Sequence, residues 1–231
     1  MNYSSRLLFI LAGSLCVQQV ALAKDEIKTD KQKTGYSIGV KMGNNLKPFT
    51  SDMDIEAFIS GIRDQYKGNK LKMSEQEIQT TMQKLQQTMA SRKVAEQHQL
   101  AEKNTQQGKA FLAANKKKPG VKTTKSGLQY KVIKSGSGAT PKESDTVTTH
   151  YRGTLIDGTE FDSSYSRGKP ASFPVNGVIQ GWQEALQLMK VGDKWQLYIP
   201  AELAYGANGP SPKIGPNATL VFEIELLKIG S

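Results

Sequence analysis

The pattern of apolar and polar positions divides the chain into three stretches. In residues 24–72 apolar side chains are sparse, and four of them follow the spacing of one helix face: Ile55, Phe58, Ile59 and Ile62. This pattern predicts short helices. They contain too few apolar residues to form a core of their own.

Residues 73–118 have the pattern of one long helix. Ser74 and Glu77 match a capping box at its start, and Gly and Pro are absent from there to Gln107. The first turns have an apolar stripe: Ile78, Met82, Leu85 and Met89. The later turns are polar nearly all round, which is typical of a helix that connects domains. The polar residues that replace the stripe argue against a continuous coiled coil: Arg92, Glu96 and Gln99.

Residues 124–231 alternate apolar and polar positions as β-strands do. The predicted strands lie in GLQYKVIKSG, TVTTHYRGTL, KWQLYIP and TLVFEIELLKI. Asp157-Gly158 predicts a type I′ hairpin turn. A short amphipathic helix closed by Gly192 would turn four side chains inward: Trp182, Ala185, Leu186 and Met189. We therefore expect an α+β domain with its own core.

The first 23 residues match a secretory signal peptide. Arg6 precedes an apolar run from Leu7 to Val17, and an Ala-Leu-Ala sequence ends at Ala23. The apolar run is too short for a transmembrane helix, which is the alternative interpretation. We therefore predict that the protein is exported and that cleavage follows Ala23.

Cysteine usage excludes several kinds of chemistry. The single cysteine, Cys16, lies in the predicted signal peptide, and the large Leu15 before it argues against acylation as a lipoprotein. The mature chain then has no disulfides, thiolate metal sites or cysteine nucleophiles. Because disulfides cannot stabilise residues 24–72, we predict that this segment forms a homodimer.

The net charge of +10 is concentrated in the first half of the chain. Residues 24–123 contain 19 Lys and Arg against 11 Asp and Glu, whereas residues 124–231 contain 11 against 10. A basic chain can bind nucleic acid, but these charges are dispersed among Gln, Glu and Asn. A solvated helical face explains them better, and we expect no nucleic-acid partner for an exported protein.

The residue types also argue against most active sites. The two histidines, His98 and His150, lie in different stretches, so no metal cluster or His-based triad is evident. The glycines of SGSGATPK do not match a phosphate-binding loop. Residues 161–182 instead combine aromatic, Gly and Pro residues with one carboxylate. Such an apolar site suits rotation about an Xaa-Pro bond. The barrier to this rotation, about 18–20 kcal/mol, arises from amide resonance, and lowering it needs no cofactor.

Five blocks in the third stretch resemble the FK506-binding-type (FKBP) peptidyl-prolyl cis-trans isomerases. They are VTTHYRGTLIDGTEFDSS, GKPASFPV, VIQGWQEALQLMKVGDKWQLYIP, LAYG and IGPNATLVFEIELL, in order between residues 127 and 229. With its signal peptide, N-terminal segment and long helix, the whole chain is similar to the macrophage infectivity potentiator (Mip) group. The resemblance implies an α+β fold in which a twisted antiparallel sheet wraps a short helix. A long helix would join this domain to an all-α dimerisation segment.

The resemblance also implies a domain organisation and a role. The expected parts are a signal peptide (1–23), a helical dimerisation segment (24–72), a long connecting helix (73–118) and an isomerase domain (124–231). The protein would isomerise Xaa-Pro bonds of exported or host proteins, as a folding helper and bacterial virulence factor. It would act in the periplasm, on the outer-membrane surface or in the medium. Proline-containing polypeptides would be its partners and macrolides of the FK506 and rapamycin type its inhibitors, with no cofactor.

The family's site residues correspond to positions of this chain. The catalytic residues would be Asp162, Tyr205 and Trp182, with Trp182 as the floor under the proline ring. The Tyr205 hydroxyl and the Ile179 N–H would bind substrate carbonyls, and Arg167 would steady Asp162. The other walls and rim would be Tyr151, Phe161, Val178, Ala204, Ile214 and Phe222.

Simpler interpretations exist for several of these residues. Trp182 and Phe222 could be ordinary core, and Asp162 could cap a turn. Four positions depart from the commonest family pattern, which bears on peptide preference and macrolide affinity: Ala171, Gly177, Pro210 and Lys213. The alternative function is a chaperone or adhesion module that binds proline segments and catalyses only incidentally.

Overall fold

The computed structural model describes residues 26–230. The predicted signal peptide, with Cys16, lies outside these residues. The chain divides at Glu75 into two compact units. Within residues 26–230, no helix has both the length and the hydropathy needed to cross a membrane.

The first unit is helical. Helix α1 spans Asp30–Leu46 and starts with a capping box at Thr29. A short 3-10 helix, Lys47–Phe49, follows it. Helix α2 spans Ile55–Lys67, and the Asp54 carboxylate accepts a hydrogen bond from a backbone N–H of its first turn. These elements agree with the predicted short helices.

The first unit does not bury a core in the single chain. None of its described residues, 26–75, is buried. The predicted apolar stripe of α2 is in place but open to solvent, since Ile55, Ile59 and Ile62 are exposed. A helical segment with this surface is incomplete by itself.

Helix α3 spans Glu75–Asn115, which is 41 residues, and begins directly after Ser74. It ends before the predicted boundary at residue 118, because the chain turns from Lys116 onward. Its early turns are largely exposed, and the apolar stripe predicted there is open to solvent at Ile78 and Met82. Gly108 and Asn115, near its C-terminal end, are buried.

The last four turns of α3 pack on the sheet domain of the second unit. The contacting side chains recur on one helix face: Leu100, Asn104, Gly108, Phe111 and Asn115. Asn115 donates a hydrogen bond to Gln129 Oε1 at 3.0 Å, and Gln129 Nε2 donates to the Leu112 carbonyl at 2.9 Å. Both amide side chains are buried. This part of α3 therefore belongs to the sheet domain rather than to a solvated linker.

The sheet has seven antiparallel strands. Their bounds are β1 Val121–Thr123, β2 Gln129–Lys134, β3 Thr146–Leu155, β4 Glu160–Ser163, β5 Ala171–Pro174, β6 Lys194–Ile199 and β7 Leu220–Ile229. The order is β1-β2-β6-β7-β3-β4, with β5 also paired to β3. The predicted α+β architecture is confirmed.

One short helix, α4, spans Gln180–Leu186 and fills the inner side of the sheet. Trp182, Ala185 and Leu186 are buried as predicted. The helix ends at Leu186, earlier than the predicted Gly192, which lies in the following turn with φ +94°. Met189 is nevertheless fully buried, because the chain after α4 still runs over the core.

The β3–β4 connection differs from the predicted type I′ turn. Such a turn requires positive φ at both Asp157 and Gly158, but only Gly158 has it, with φ +88°. The Gly158 N–H donates to the Leu155 carbonyl at 3.0 Å, and the Leu155 N–H donates to the Thr159 carbonyl at 2.9 Å. The loop therefore contains three residues, with the glycine in the left-handed position of a bulge. The predicted hairpin forms, but with a longer loop than predicted.

Candidate functional site

A cavity of about 520 Å³ opens between α4, the strands β3, β4, β5 and β7, and the loop that follows Tyr205. Trp182 from α4 forms its floor and is 4% exposed. Three aromatic rings meet the indole edge to face: Tyr151 at 5.3 Å, Phe173 at 5.9 Å and Phe222 at 5.2 Å between centroids. Such a cluster forms a rigid apolar surface.

The wall formed by β3, β4 and β7 depends on a glycine. A Cβ at Gly153 would lie 2.6 Å from the Phe161 ring and 2.7 Å from the Phe222 ring. Because Gly153 has no side chain, the Phe161 and Phe222 rings occupy that space and meet edge to face at 5.5 Å between centroids. In the Tyr-Arg-Gly sequence of β3, Tyr151 thus contributes its own ring to the cavity. Gly153, two residues later, leaves room for the two phenylalanine rings.

The polar side of the cavity is a cluster of three side chains. The Tyr151 hydroxyl donates to Asp162 Oδ2 at 2.6 Å and accepts from Arg167 Nη2 at 2.6 Å. Arg167 Nη1 also donates to Asp162 Oδ1. The Arg167 guanidinium lies 5.4 Å from the centre of the Tyr151 ring.

This cluster keeps Asp162 ionised. Burial disfavours its charge, but hydrogen bonds from Tyr151 and Arg167 and the Arg167 charge outweigh that effect and lower the pKa of Asp162. Burial, followed by the hydrogen bond to Asp162, raises the pKa of Tyr151. At neutral pH the cavity therefore presents a carboxylate and a neutral phenol.

Tyr205 lies at the mouth of the cavity and is 40% exposed. Burial and the charge of Asp162 raise the pKa of its hydroxyl, which therefore remains a hydrogen-bond donor at neutral pH. The Val178 carbonyl accepts from Gln183 Nε2 at 2.7 Å, and Ile179 is the N-cap of α4. These contacts hold residues 178–179 against the start of the helix.

The structure brings most of the predicted site residues together. Nine of them line the cavity: Tyr151, Phe161, Asp162, Val178, Ile179, Trp182, Tyr205, Ile214 and Phe222. Arg167 reaches it through Asp162 and Tyr151. Ala204 lies outside the lining and packs against the core instead.

Four lining residues are outside the predicted set of site residues: Phe173, Gly177, Pro210 and Ser211. Of these, Gly177 and Pro210 are among the positions at which the sequence departs from the commonest family pattern. Phe173 is the most informative of them. It shares a face of β5 with Ala171, two residues earlier, where the family often has an aromatic residue. The two-residue alternation of β5 was therefore a usable signal that the side chain faces the cavity.

The fold and this cavity define an isomerase domain of the FKBP class, and sequence comparison supports that classification. The family described as FKBP-type peptidyl-prolyl cis-trans isomerase matches residues 137–227, and the domain amino terminal to it matches residues 31–132. The chain belongs to the FKBP-type peptidyl-prolyl cis-trans isomerase family, and it is a peptidyl-prolyl cis-trans isomerase.

Similar proteins include relatives that the chain matches over nearly their whole length. The outer membrane protein MIP of Legionella longbeachae is 44% identical over 220 residues, covering 95% of this chain and 94% of that protein. The peptidyl-prolyl cis-trans isomerase Mip of Coxiella burnetii is 42% identical, covering 95% of each. The crystal structure of FkpA from Escherichia coli is 41% identical, with a TM-score of 0.74 over 89% of this chain and 99% of that one.

Proposed function

We propose that the aromatic cavity is the catalytic site, where Xaa-Pro bonds of exported polypeptides isomerise. One observation carries this proposal: an apolar floor and walls of aromatic rings adjoin a single carboxylate that its neighbours keep ionised. In this arrangement Trp182 lies under the proline ring. Tyr151, Phe161, Val178, Ile214 and Phe222 enclose the ring and the amide.

The reaction breaks no covalent bond. The site therefore needs only to lower the barrier to rotation about the Xaa-Pro bond. Amide resonance keeps the bond planar and places negative charge on the carbonyl oxygen. An apolar cavity removes the water that stabilises this charge separation, so the planar form loses more stabilisation than the twisted form. Proline binding to the rings thus favours the transition state.

Asp162 acts on the same charge distribution. A fixed carboxylate beside the amide repels the negative carbonyl oxygen of the planar form and so disfavours that form. Arg167 and Tyr151 hold the carboxylate in place. Tyr205 and the Ile179 N–H bind the carbonyls of the neighbouring residues and align the peptide across the cavity. Ala204 packs against the core behind Tyr205 and does not contact the substrate.

The test is exchange NMR of a short Xaa-Pro peptide with the mature chain, residues 24–231. We expect the wild type to accelerate exchange and Asp162→Asn to lower kcat/KM by about 10-fold or more, since electrostatic groups in active sites contribute up to about 10²–10³-fold. Glu143→Gln, an exposed carboxylate of the same domain, is the control and should match the wild type.

Two other results would decide against this proposal. If the folded wild type binds the peptide without accelerating exchange, the site is a proline-binding module and the alternative function replaces isomerisation. If Asp162→Asn retains full activity, the carboxylate has no catalytic role and caps the β4 turn instead.

We also propose that the protein is a homodimer through residues 24–72, that residues 124–231 form the isomerase domain, and that α3 connects the two with its last turns packed on the isomerase domain. The support is the exposed apolar surface of the first unit, in which no residue between 26 and 75 is buried. Two copies that cover each other's α1 and α2 would form the missing core.

The same proposal includes export of the protein. It would act in the periplasm, on the outer-membrane surface or, after release, in the medium. Its support is the predicted signal peptide, together with a Legionella relative called an outer membrane protein. In that location the isomerase would act on folding exported proteins and, as a virulence factor, on host proteins. We also expect macrolides such as FK506 and rapamycin to bind in the aromatic cavity and to inhibit the isomerase.

A further inference from the structure

The loop from Gly206 to Asn217 contributes to two separate cavities. Pro210, Ser211 and Ile214 line the aromatic cavity. Other residues of the same loop, among them Lys213 and Gly215, line a second cavity of about 260 Å³ together with side chains of α3. The loop is therefore in contact with the isomerase site and with the long helix.

A side chain of α3 binds the end of this loop. Asn104 Nδ2 donates to the Pro216 carbonyl oxygen at 2.7 Å. The next amide, Asn217 N–H, donates to the Gly206 carbonyl at 2.7 Å and closes the base of the loop directly after Tyr205. The bond from Asn104 thus holds the end of the loop next to the residue at which the loop closes.

The approach of the helix to the loop is close. A Cβ added at Gly215 would lie 3.0 Å from Leu100 Cδ2 and 3.1 Å from Asn104 Nδ2. Asn104 is itself partly buried. The side chain is therefore packed against the loop as well as bonded to it.

We propose that Asn104 is a positioning residue for the isomerase site: from the long helix, it holds the loop that brings Ile214 to the cavity and that closes directly after Tyr205. This inference rests on the proposed function of the aromatic cavity. Without the bond, residues 206–217 gain conformational freedom that peptide binding must then restrict. Because the loop wall contacts the planar and the twisted peptide alike, its release should weaken binding more than it slows rotation on the enzyme.

The experiment compares Asn104→Asp with the wild type in the mature chain. This change preserves the size of the side chain but replaces the donating NH₂ group with a carboxylate oxygen facing the Pro216 carbonyl. NMR line-shape analysis over a series of Xaa-Pro peptide concentrations gives the peptide Kd and the isomerisation rate on the enzyme separately. We expect Kd to rise about 3- to 10-fold, the usual effect of one lost hydrogen bond, with the on-enzyme rate within about twofold.

Two further variants make the result specific. Gln107→Glu makes the same amide-to-carboxylate change in the same cavity, at an exposed position one turn along α3, and should bind peptide as the wild type does. Gly215→Ala disturbs the contact from the loop side and does not line the aromatic cavity. It should reproduce the rise in Kd, and it tests the inference even if Asn104→Asp does not fold.

Wild-type Kd values in folded Asn104→Asp and Gly215→Ala would overturn the inference. So would an equal loss of affinity and on-enzyme rate accompanied by a lower Tm, because that result indicates general destabilisation. Failure of the proposed function would be distinct, since the wild type itself would then not accelerate exchange.

Discussion

At the scale of single residues, one hydroxyl joins the polar and apolar sides of the cavity. Tyr151 accepts a hydrogen bond from Arg167 and donates one to Asp162, while its ring packs edge to face on Trp182. Removing the hydroxyl would leave the aromatic wall in place but remove one of the two side chains that hold the carboxylate. The orientation of Asp162 therefore depends on a residue of a neighbouring strand.

This geometry predicts a low pKa for Asp162. Its carboxyl should titrate below the usual 3.8, and Tyr151→Phe should move its pKa upward by removing one of the hydrogen bonds that lower it. A carboxyl whose pKa is lower in the folded chain stabilises the fold above its unfolded pKa, and this contribution is lost as pH falls through the folded value. Isomerase activity should accordingly stay constant from about pH 5 to neutral pH. The ¹³C chemical shift of the carboxyl carbon, followed against pH, measures the titration directly.

The control for this titration is Tyr165→Phe. Tyr165 stacks on His150 at 4.7 Å and does not line the cavity, so its hydroxyl should not affect Asp162. An Asp162 pKa at or above 3.8 in the wild type, or one that Tyr151→Phe leaves unchanged, would contradict the arrangement described here.

At the scale of elements, α3 changes its role along its length. Its early turns are exposed, whereas its last four turns pack on the sheet domain through a face that includes Asn104, Gly108 and Asn115. Two of these residues bond across the contact through amide groups, and the third allows a close approach. The helix is therefore part of the support of the isomerase domain.

The close approach predicts the effect of Gly108→Ala. A Cβ there would lie 2.3 Å from Thr219 Oγ1, and Thr219 is buried. Alanine gains about 1 kcal/mol of helix propensity, but overpacking at a buried contact costs about 1–3 kcal/mol. We expect a net loss of up to about 2 kcal/mol in the free energy of unfolding, measured by urea denaturation.

A second substitution identifies the cause of that loss. Thr219→Ala removes Oγ1, so combining it with Gly108→Ala should cost less than the sum of the two single changes. Additive losses in the double variant, or a stabilising Gly108→Ala, would show that the helix does not approach the sheet as closely as described.

At the scale of the whole molecule, the two units differ in how they bury apolar surface. The second unit has a core of its own around Leu197, Leu220 and Ile224. The first unit leaves Ile55, Ile59 and Ile62 exposed. This contrast supports the proposed dimer, because an isolated helical segment without a core is not expected to stay folded.

The dimer can be tested on one helix. Ile59→Glu places a carboxylate in the apolar stripe of α2, whereas Ala57→Glu places one on the far side of the same helix. Analytical ultracentrifugation of the mature chain should show twice the monomer mass for the wild type and Ala57→Glu, and a shift to monomer for Ile59→Glu, since a buried unpaired charge is costly. A monomeric wild type at micromolar concentration would refute the dimer.

Much of the site could be predicted because it lies in continuous blocks. Phe161 with Asp162, and Val178 with Ile179 and Trp182, are near neighbours in sequence, and their motifs carry the family resemblance. Phe173 is not in the predicted set, because the family pattern has its aromatic residue at the position of Ala171, two residues earlier on β5. The two-residue alternation of β5 already places Phe173 on the same face as Ala171, and the β3–β5 pairing, in which Val147 lies opposite Phe173, fixes the position of its ring in the structure.

The sequence by itself determined the helical first unit, the long helix, the main strands and most of the aromatic site, because each has a strong local period or motif. Only the tertiary structure decided what the end of α3 contacts. Leu100 and Phe111 are the apolar residues of that face, but Asn104, Gly108 and Asn115 have no apolar signal, since their contacts depend on amide hydrogen bonds and on the absence of a Cβ. Such contacts exist only between partners distant in sequence, here Pro216, Thr219 and Gln129. A one-dimensional pattern cannot show which residues these are.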